Sequence, residues 1–239
     1  MEILDLRARP WKVHSAYTAA TVQMGGALLE PFLKKEEREI ERDFYLEWAR
    51  RIGANSVLDL ATGKARIPII FARDGVSEIT ALDASRESLE CARTEIEREL
   101  SAEDAARITL VQGDMRRFSF PKLFDLATIA YQSFWWNFAK NCRLLFRYYE
   151  RGPHGKSIPR RVVERTGLLI YLQGVYCVRS VCRSLRTGGV FIVDHPFIQR
   201  GLPHVEVVSV GEEWWRGLAH QCRFKILQID KEFLIAEKL

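Results

Sequence analysis

Between Ser56 and Asp194 the chain alternates short apolar runs with longer amphipathic stretches, an alternation that few folds can satisfy. Ser56-Val57-Leu58-Asp59-Leu60 reads as a strand that runs into the loop Ala61-Thr62-Gly63. A helix is expected from about Ala65 to Arg73, with Pro68 tolerated in its first turn and Gly75 closing it. Glu78 to Asp83 is a second strand, followed by Ser85 as N-cap of a helix that runs to Leu100. Arg107 to Gln112 and Phe124 to Tyr131 are the third and fourth strands. An aromatic helix is expected from Ser133 to about Tyr149, then a loop at 151–155 and a long helix from about Val162 to Leu185. Arg186-Thr187-Gly188-Gly189 should cap that helix, and Val190 to Asp194 is the fifth strand. After a short helix near Trp214, the strands Phe224 to Ile229 and Phe233 to Ala236 are separated by Asp230-Lys231-Glu232 alone and should pair as an antiparallel hairpin.

Repeated strand–helix units imply an α/β fold, doubly wound, with a mostly parallel sheet and helices on both faces. In such sheets ligands bind at the carboxyl ends of the strands, near the point where strand order reverses. Two helices precede the alternating region, Ser15 to Leu33 and Lys35 to Ile52, the second ended by Gly53-Ala54-Asn55. The chain therefore divides into an N-terminal helical segment, residues 1–53, and a main domain, residues 54–239.

The longest nearly uncharged apolar stretch, Leu168 to Val178, is interrupted by Gln173 and Gly174 and is too short to span a bilayer. The N-terminus carries early acids and no long apolar run, which is unlike a secretory signal, so a cytoplasmic chain with no membrane partner is expected. The five cysteines form no C-x-x-C pair and lie apart from any histidine at ligand spacing, so they read as reduced thiols and no metal is expected. The net charge of +5 is concentrated in one place. Residues 137–165 hold eight basic side chains against Glu150 and Glu164, which makes that stretch +6 and the remainder −1. The basicity belongs to one local feature and not to a whole nucleic-acid-binding surface. The aromatic, basic insert reads either as a lid or wall that recognises a carboxylate or phosphate or as a solvated amphipathic helix with a partner face.

Three strand ends carry the residues with binding chemistry. Asp59, at the end of the first strand, can accept hydrogen bonds from a ligand amine, and the loop behind it opens a helix N-terminus with free N–H groups. Asp83 ends the second strand, 24 residues further on, where an acid can take both hydroxyls of an adenosine ribose. In Gln112-Gly113-Asp114-Met115 the carboxylate can accept from an adenine amino group while the methionine lies on the ring face.

Taken in order, V-L-D-L-A-T-G (57–63), I-T-A-L-D-A-S (79–85), V-Q-G-D-M (111–115), F-D-L-A-T-I-A (124–130) and S-L-R-T-G-G-V-F-I-V-D (184–194) resemble the class I, Rossmann-like methyltransferases that use S-adenosylmethionine (SAM). The resemblance spans roughly residues 40–239 and implies seven strands in the order 3-2-1-4-5-7-6. It implies a SAM site formed by Asp59, Ala61, Gly63, Asp83, Ala84, Asp114, Met115 and Ala130, with the first helices, and Tyr17 among them, covering the cofactor and substrate. Within the class, Y-Q-S-F-W-W (131–136) and V-D-H-P (193–196) look most like the glycine and sarcosine N-methyltransferases, which act on small molecules, with Gln132 in the place of an Asn. Tyr131 and Gln132 would then orient the acceptor, and Trp135 and Trp136 would line its pocket. The absence of an Asn-Pro-Pro-Tyr or Asp-Pro-Pro-Tyr run after the fourth strand speaks against nucleobase amines.

In-line transfer from a sulfonium needs positioning and exclusion of water more than strong bases. An amine acceptor needs groups that orient its lone pair. A hydroxyl acceptor would need a general base, and His195 is the candidate. The sequence departs from the family at Ala61 and Ala65, which replace two loop glycines, and at Lys64 between them. Those departures keep open a protein of this fold that binds cofactor or partner without methylating. The basic insert keeps open an RNA or protein methyltransferase. A small-molecule acceptor, an anionic one included, and N- before O-methylation are the favoured reading, and a homo-oligomer is compatible with it.

Overall fold

The computed structural model describes residues 1–5, 35–130, 160–194, 212–230 and 232–239. The expected helix at Ser15–Leu33, the aromatic helix at 133–149 and the loop at 151–155 lie outside these residues. The described chain holds strands β1 (Ile3–Asp5), β2 (Ser56–Leu60), β3 (Glu78–Asp83), β4 (Ile108–Gln112), β5 (Phe124–Ile129), β6 (Leu185–Asp194), β7 (Phe224–Ile229) and β8 (Phe233–Lys238). Its helices are α1 (Lys35–Arg51), α2 (Arg66–Arg73), α3 (Arg86–Glu99), the single turn α4 (Ala102–Ala105), α5 (Arg160–Ser184) and α6 (Glu212–Gln221).

One sheet contains all eight strands in the order β1-β4-β3-β2-β5-β6-β8-β7. β8 runs antiparallel to both β6 and β7, and every other pairing is parallel. Strands β2 to β8 reproduce the expected order 3-2-1-4-5-7-6, with the hairpin reversed as expected. β1 is an addition at the edge, paired with β4 through Ile3–Leu110, Leu4–Val111 and Asp5–Gln112. A run of three residues is too short to display a strand period, so only its partner reveals it.

Alternation along the strands sends side chains into two cores. Leu58, Leu82, Ala127 and Phe191 join Val178 and Val181 of α5 and Trp215 and Leu218 of α6 on one face. Val57, Ile79, Leu110 and Ile192 join Tyr45 of α1, Phe71 of α2 and Leu89, Ala92 and Ile96 of α3 on the other. Phe71 and Trp215 are almost wholly buried, and each contributes about 2–3 kcal/mol of apolar burial. The layers are thus helix, sheet, helix, the doubly wound arrangement. No described helix is long and apolar enough to cross a membrane.

The expected capping turn at Arg186–Gly189 is instead part of β6, which begins directly after α5. Leu185 pairs with Phe124 and Val190 with Leu126, so the intervening residues form a bulge. Gly188 has φ +77°, and a Cβ on Gly189 would lie 2.9 Å from the Arg186 carbonyl and 3.2 Å from those of Phe124 and Asp125. The guanidinium of Arg186 bonds to Asp125 and holds the bulge against the sheet.

Candidate functional site

The carboxyl edge of β4-β3-β2-β5 gathers every expected cofactor residue: Asp59 at the end of β2, Ala61 and Gly63 in the following loop, Asp83 and Ala84 at and after β3, Asp114 and Met115 after β4, and Ala130 after β5. The acceptor-side residues expected from the sequence, Tyr17, Tyr131, Gln132, Trp135, Trp136 and His195, lie outside the described residues, as does most of the basic insert.

The β2–α2 loop has an unusual backbone. Ala61, Gly63 and Ala65 have φ of +56°, +56° and +62°, so every second residue is left-handed. Glycine is the residue that adopts this region without steric cost, and alanine is the smallest that can be forced into it. The two alanines therefore keep the geometry that glycines would have supplied. Ala65 is the N-cap of α2 and offers no side-chain cap, which leaves the first N–H groups of α2 without that acceptor. A Cβ built on Gly63 would meet nothing within 4 Å, so the loop crest is open.

Two carboxylates hold this loop. Asp59 is 2% exposed; its Oδ2 accepts from Thr62 Oγ1 at 2.6 Å and its Oδ1 from Thr128 Oγ1 at 2.7 Å. Burial pushes its pKa up to about 6, against the opposing pull of the two hydroxyls and the charge of Arg66. Its carboxylate thus ties β2, its own loop and β5 together. Asp83 is half-buried, and its Oδ2 accepts from the Gly63 amide at 2.9 Å while Oδ1 accepts from the Ser85 amide at 2.9 Å. Backbone bonds from Thr62 N–H to the Leu82 carbonyl (3.1 Å) and from Gly113 N–H to the Asp83 carbonyl (2.9 Å) lace the three strand ends together. Ala84 is exposed beside them.

On the β4 side, Asp114 is ion-paired with Arg116, and Met115 is buried in the core that includes Phe118 and Val175. Ala130, also buried, closes the edge after β5. Sequence reasoning did not identify Thr62, Thr128 or Arg116. Thr128 carries no spacing signal, because it reaches Asp59 only through the pairing of β2 with β5, and Thr62, three residues from Asp59, is an ordinary loop neighbour. Arg116 lies two residues from Asp114, a separation ordinary in any loop.

Among the described residues no group of three or more His, Cys, Asp or Glu could hold a metal. The edge does offer carboxylates for hydroxyl or amino donors and a side-chain-poor loop beside backbone N–H groups. That donor set suits a nucleoside with an anionic tail.

Residues 57–151, which contain the whole of this edge, match the family described as methyltransferase domain. Over this stretch the chain is similar to a methyltransferase domain. The fold around it is that of the SAM-dependent methyltransferases, as solved structures show. An S-adenosylmethionine-dependent methyltransferase from Clostridium acetobutylicum aligns with 93% of this chain and 99% of its own at 14% identity and a TM-score of 0.59. CalS10 from Micromonospora echinaspora, an amino pentose methyltransferase solved with SAM bound, aligns with 98% of this chain and 100% of its own at 12% identity and a TM-score of 0.59. The glycopeptide N-methyltransferase MtfA, solved with sinefungin, aligns with 82% of this chain and 85% of its own at 19% identity and a TM-score of 0.53. No curated protein sequence matches the chain. Within the matched stretch, the left-handed loop, Asp83 and Asp114 occupy three successive strand ends in the order expected from the sequence.

Proposed function

We propose that this chain transfers the methyl group of S-adenosylmethionine to a small-molecule acceptor, at nitrogen rather than oxygen. The observation that carries the reading is the convergence of the open 61–65 loop, Asp83 and Asp114 on one sheet edge. Bound there, SAM supplies an electrophilic methyl group on a sulfonium. Asp83 accepts from the ribose hydroxyls, Asp114 from the adenine amino group, and the loop backbone with the start of α2 receives the amino-acid tail. Asp59 and Ala61 fix the loop's path, and Ala84, Met115 and Ala130 border the nucleoside.

For the acceptor, Tyr131 and Gln132 orient the amine lone pair, Tyr17, Trp135 and Trp136 enclose it, and His195 is the base if a hydroxyl reacts. An amine is supported by the likeness of residues 131–136 and 193–196 to the glycine and sarcosine N-methyltransferases. The printed descriptions of MtfA and CalS10, a glycopeptide N-methyltransferase and an amino pentose methyltransferase, point the same way. The basic residues of 137–165 suit an acceptor that also carries an anionic group.

Calorimetric titration with SAM and S-adenosylhomocysteine tests the cofactor half. Micromolar binding that Asp83→Ala weakens supports it, and no binding of either ligand overturns it. Transfer of tritium from methyl-labelled SAM to a panel of amino acids, amino sugars and their hydroxyl analogues tests the acceptor half. Labelling of hydroxyl compounds alone would reverse the preference for nitrogen.

A further inference from the structure

Asp114 sits in a tight turn just beyond β4, closed by a hydrogen bond from Arg117 N–H to the Asp114 carbonyl at 2.9 Å. Within that turn the Arg116 side chain folds back onto the carboxylate it follows. Its Nε lies 2.8 Å from Oδ1 and 2.9 Å from Oδ2, its Nη2 also donates to Oδ2, and its own amide donates to Oδ1 at 2.9 Å. The other end of the guanidinium reaches α5, where Nη1 donates to Gln173 Oε1 at 3.0 Å. The Arg116 carbonyl accepts from Ser180 Oγ on the same helix at 3.3 Å. The Arg116 side chain is 14% exposed and that of Asp114 30%, so the pair is shielded while the carboxylate still reaches the surface.

A side-on guanidinium pair with two parallel bonds fixes the plane of a carboxylate, which a single point charge does not. A carboxylate presents roughly four lone-pair sites. The Nε hydrogen is shared between both oxygens, Nη2 donates to Oδ2 and the amide to Oδ1, so each oxygen has two close donors from Arg116. The carboxylate, which still reaches the surface, is thereby held in a fixed direction towards an external N–H.

We infer that Arg116 is a positioning residue: anchored to α5 through Gln173, it holds Asp114 so that one carboxylate oxygen selects an exocyclic amino group on the bound nucleoside. This rests on the SAM reading above, in which Asp114 faces the adenine amino group. Selectivity for a 6-amino over a 6-oxo purine is then set by a residue that does not touch the base. A 6-oxo group would place its oxygen against the held carboxylate. Once the carboxylate can rotate, that opposition weakens and the reward for the amino group falls with it.

The test compares S-adenosylhomocysteine with its 6-oxo analogue, S-inosylhomocysteine, by calorimetry on the full chain. Wild type should favour the amino ligand by tenfold or more. Arg116→Met should bind the amino ligand about tenfold more weakly and lose most of that preference. Arg116→Lys, which keeps the charge without the fork, should fall between, and Gln173→Leu, which leaves the pair but removes its anchor, should shift the ratio least. A purely structural pair would weaken both ligands equally, and an unchanged ratio in Arg116→Lys and Gln173→Leu overturns the inference even if Arg116→Met fails to fold. Wild type binding neither ligand overturns the cofactor reading itself and this inference with it. Wild type binding both equally leaves the cofactor reading standing and overturns the positioning role alone.

Discussion

The amide of Gly63 donates to Oδ2 of Asp83 at 2.9 Å, so the acid that ends β3 restrains the crest of the loop leaving β2. One carboxylate therefore shapes the loop and is also the group we propose to take the ribose hydroxyls. Asp83→Ala should weaken S-adenosylhomocysteine binding by about 2–3 kcal/mol, roughly 30- to 150-fold, through loss of charge-assisted hydrogen bonds. It should also lower the stability of the ligand-free protein by about 1–3 kcal/mol, because the Gly63 and Ser85 amides lose their acceptor. Calorimetry and urea unfolding without ligand read the two effects separately.

Asp59 imposes a pH dependence of a definite sign. Burial raises its folded pKa to about 6, above the value of an exposed carboxyl, so the folded state holds the proton more tightly than the unfolded chain. Its contribution to stability is therefore greatest in acid, declines as pH rises through about 6, and is level above that. Asp59→Asn does not titrate. The unfolding free energy of wild type relative to that variant should fall by about 1–1.5 kcal/mol between pH 5 and 7.5. Urea unfolding at both pH values measures it, and a constant difference would mean that the buried carboxyl has an ordinary pKa.

The two left-handed alanines should respond differently to glycine. Ala61, at φ +56° and only partly buried, should gain about 0.5–1 kcal/mol of stability as glycine, the released steric cost exceeding the added unfolded-chain entropy. Ala65, at φ +62°, is fully buried, and losing its methyl group costs about 0.8 kcal/mol, which cancels most of that gain. Thermal unfolding of Ala61→Gly and Ala65→Gly should rank them in that order.

At the opposite edge of the sheet, Asp125 Oδ2 accepts from the amides of Asn55 (2.8 Å) and Ser56 (2.9 Å) and from Ser56 Oγ (2.9 Å), and Oδ1 from Arg186. Burial pushes its pKa up, but these bonds outweigh it and hold the carboxyl below its ordinary value. With a depressed folded pKa, its stabilisation is present at neutral pH and is lost as pH falls through that folded value. Asp125→Asn should cost about 2 kcal/mol at pH 7 and progressively less in acid. Ligand affinity should stay at the wild-type level, because this cluster lies at the amino ends of β2 and β5.

Much of the frame was legible along the chain. The bounds of β2 and β3 coincide with the apolar runs at 56–60 and 78–83, because a strand buried between two helical layers must be apolar along its length. The Ser85 N-cap was equally readable, and its hydroxyl accepts from Ser88 N–H at 3.1 Å. The Arg186–Gly189 segment was misread because glycines after a helix signal a cap, and a bulge uses the same residues for a different neighbour. β1 was missed because three residues carry no period.

The sequence by itself determined which acids end the strands: the succession of strands along the chain and the residues that close them follow from hydrophobic period and turn residues, both local properties. The order within the sheet was implied by the resemblance of its motifs to a known family. Only the tertiary structure decided what those acids hold. Strand register brings Thr128 to Asp59 and Gly63 to Asp83, and helix packing brings Gln173 to Arg116. Hydrogen bonds between residues 20 to 69 positions apart depend on how layers meet, which no local pattern in the chain encodes.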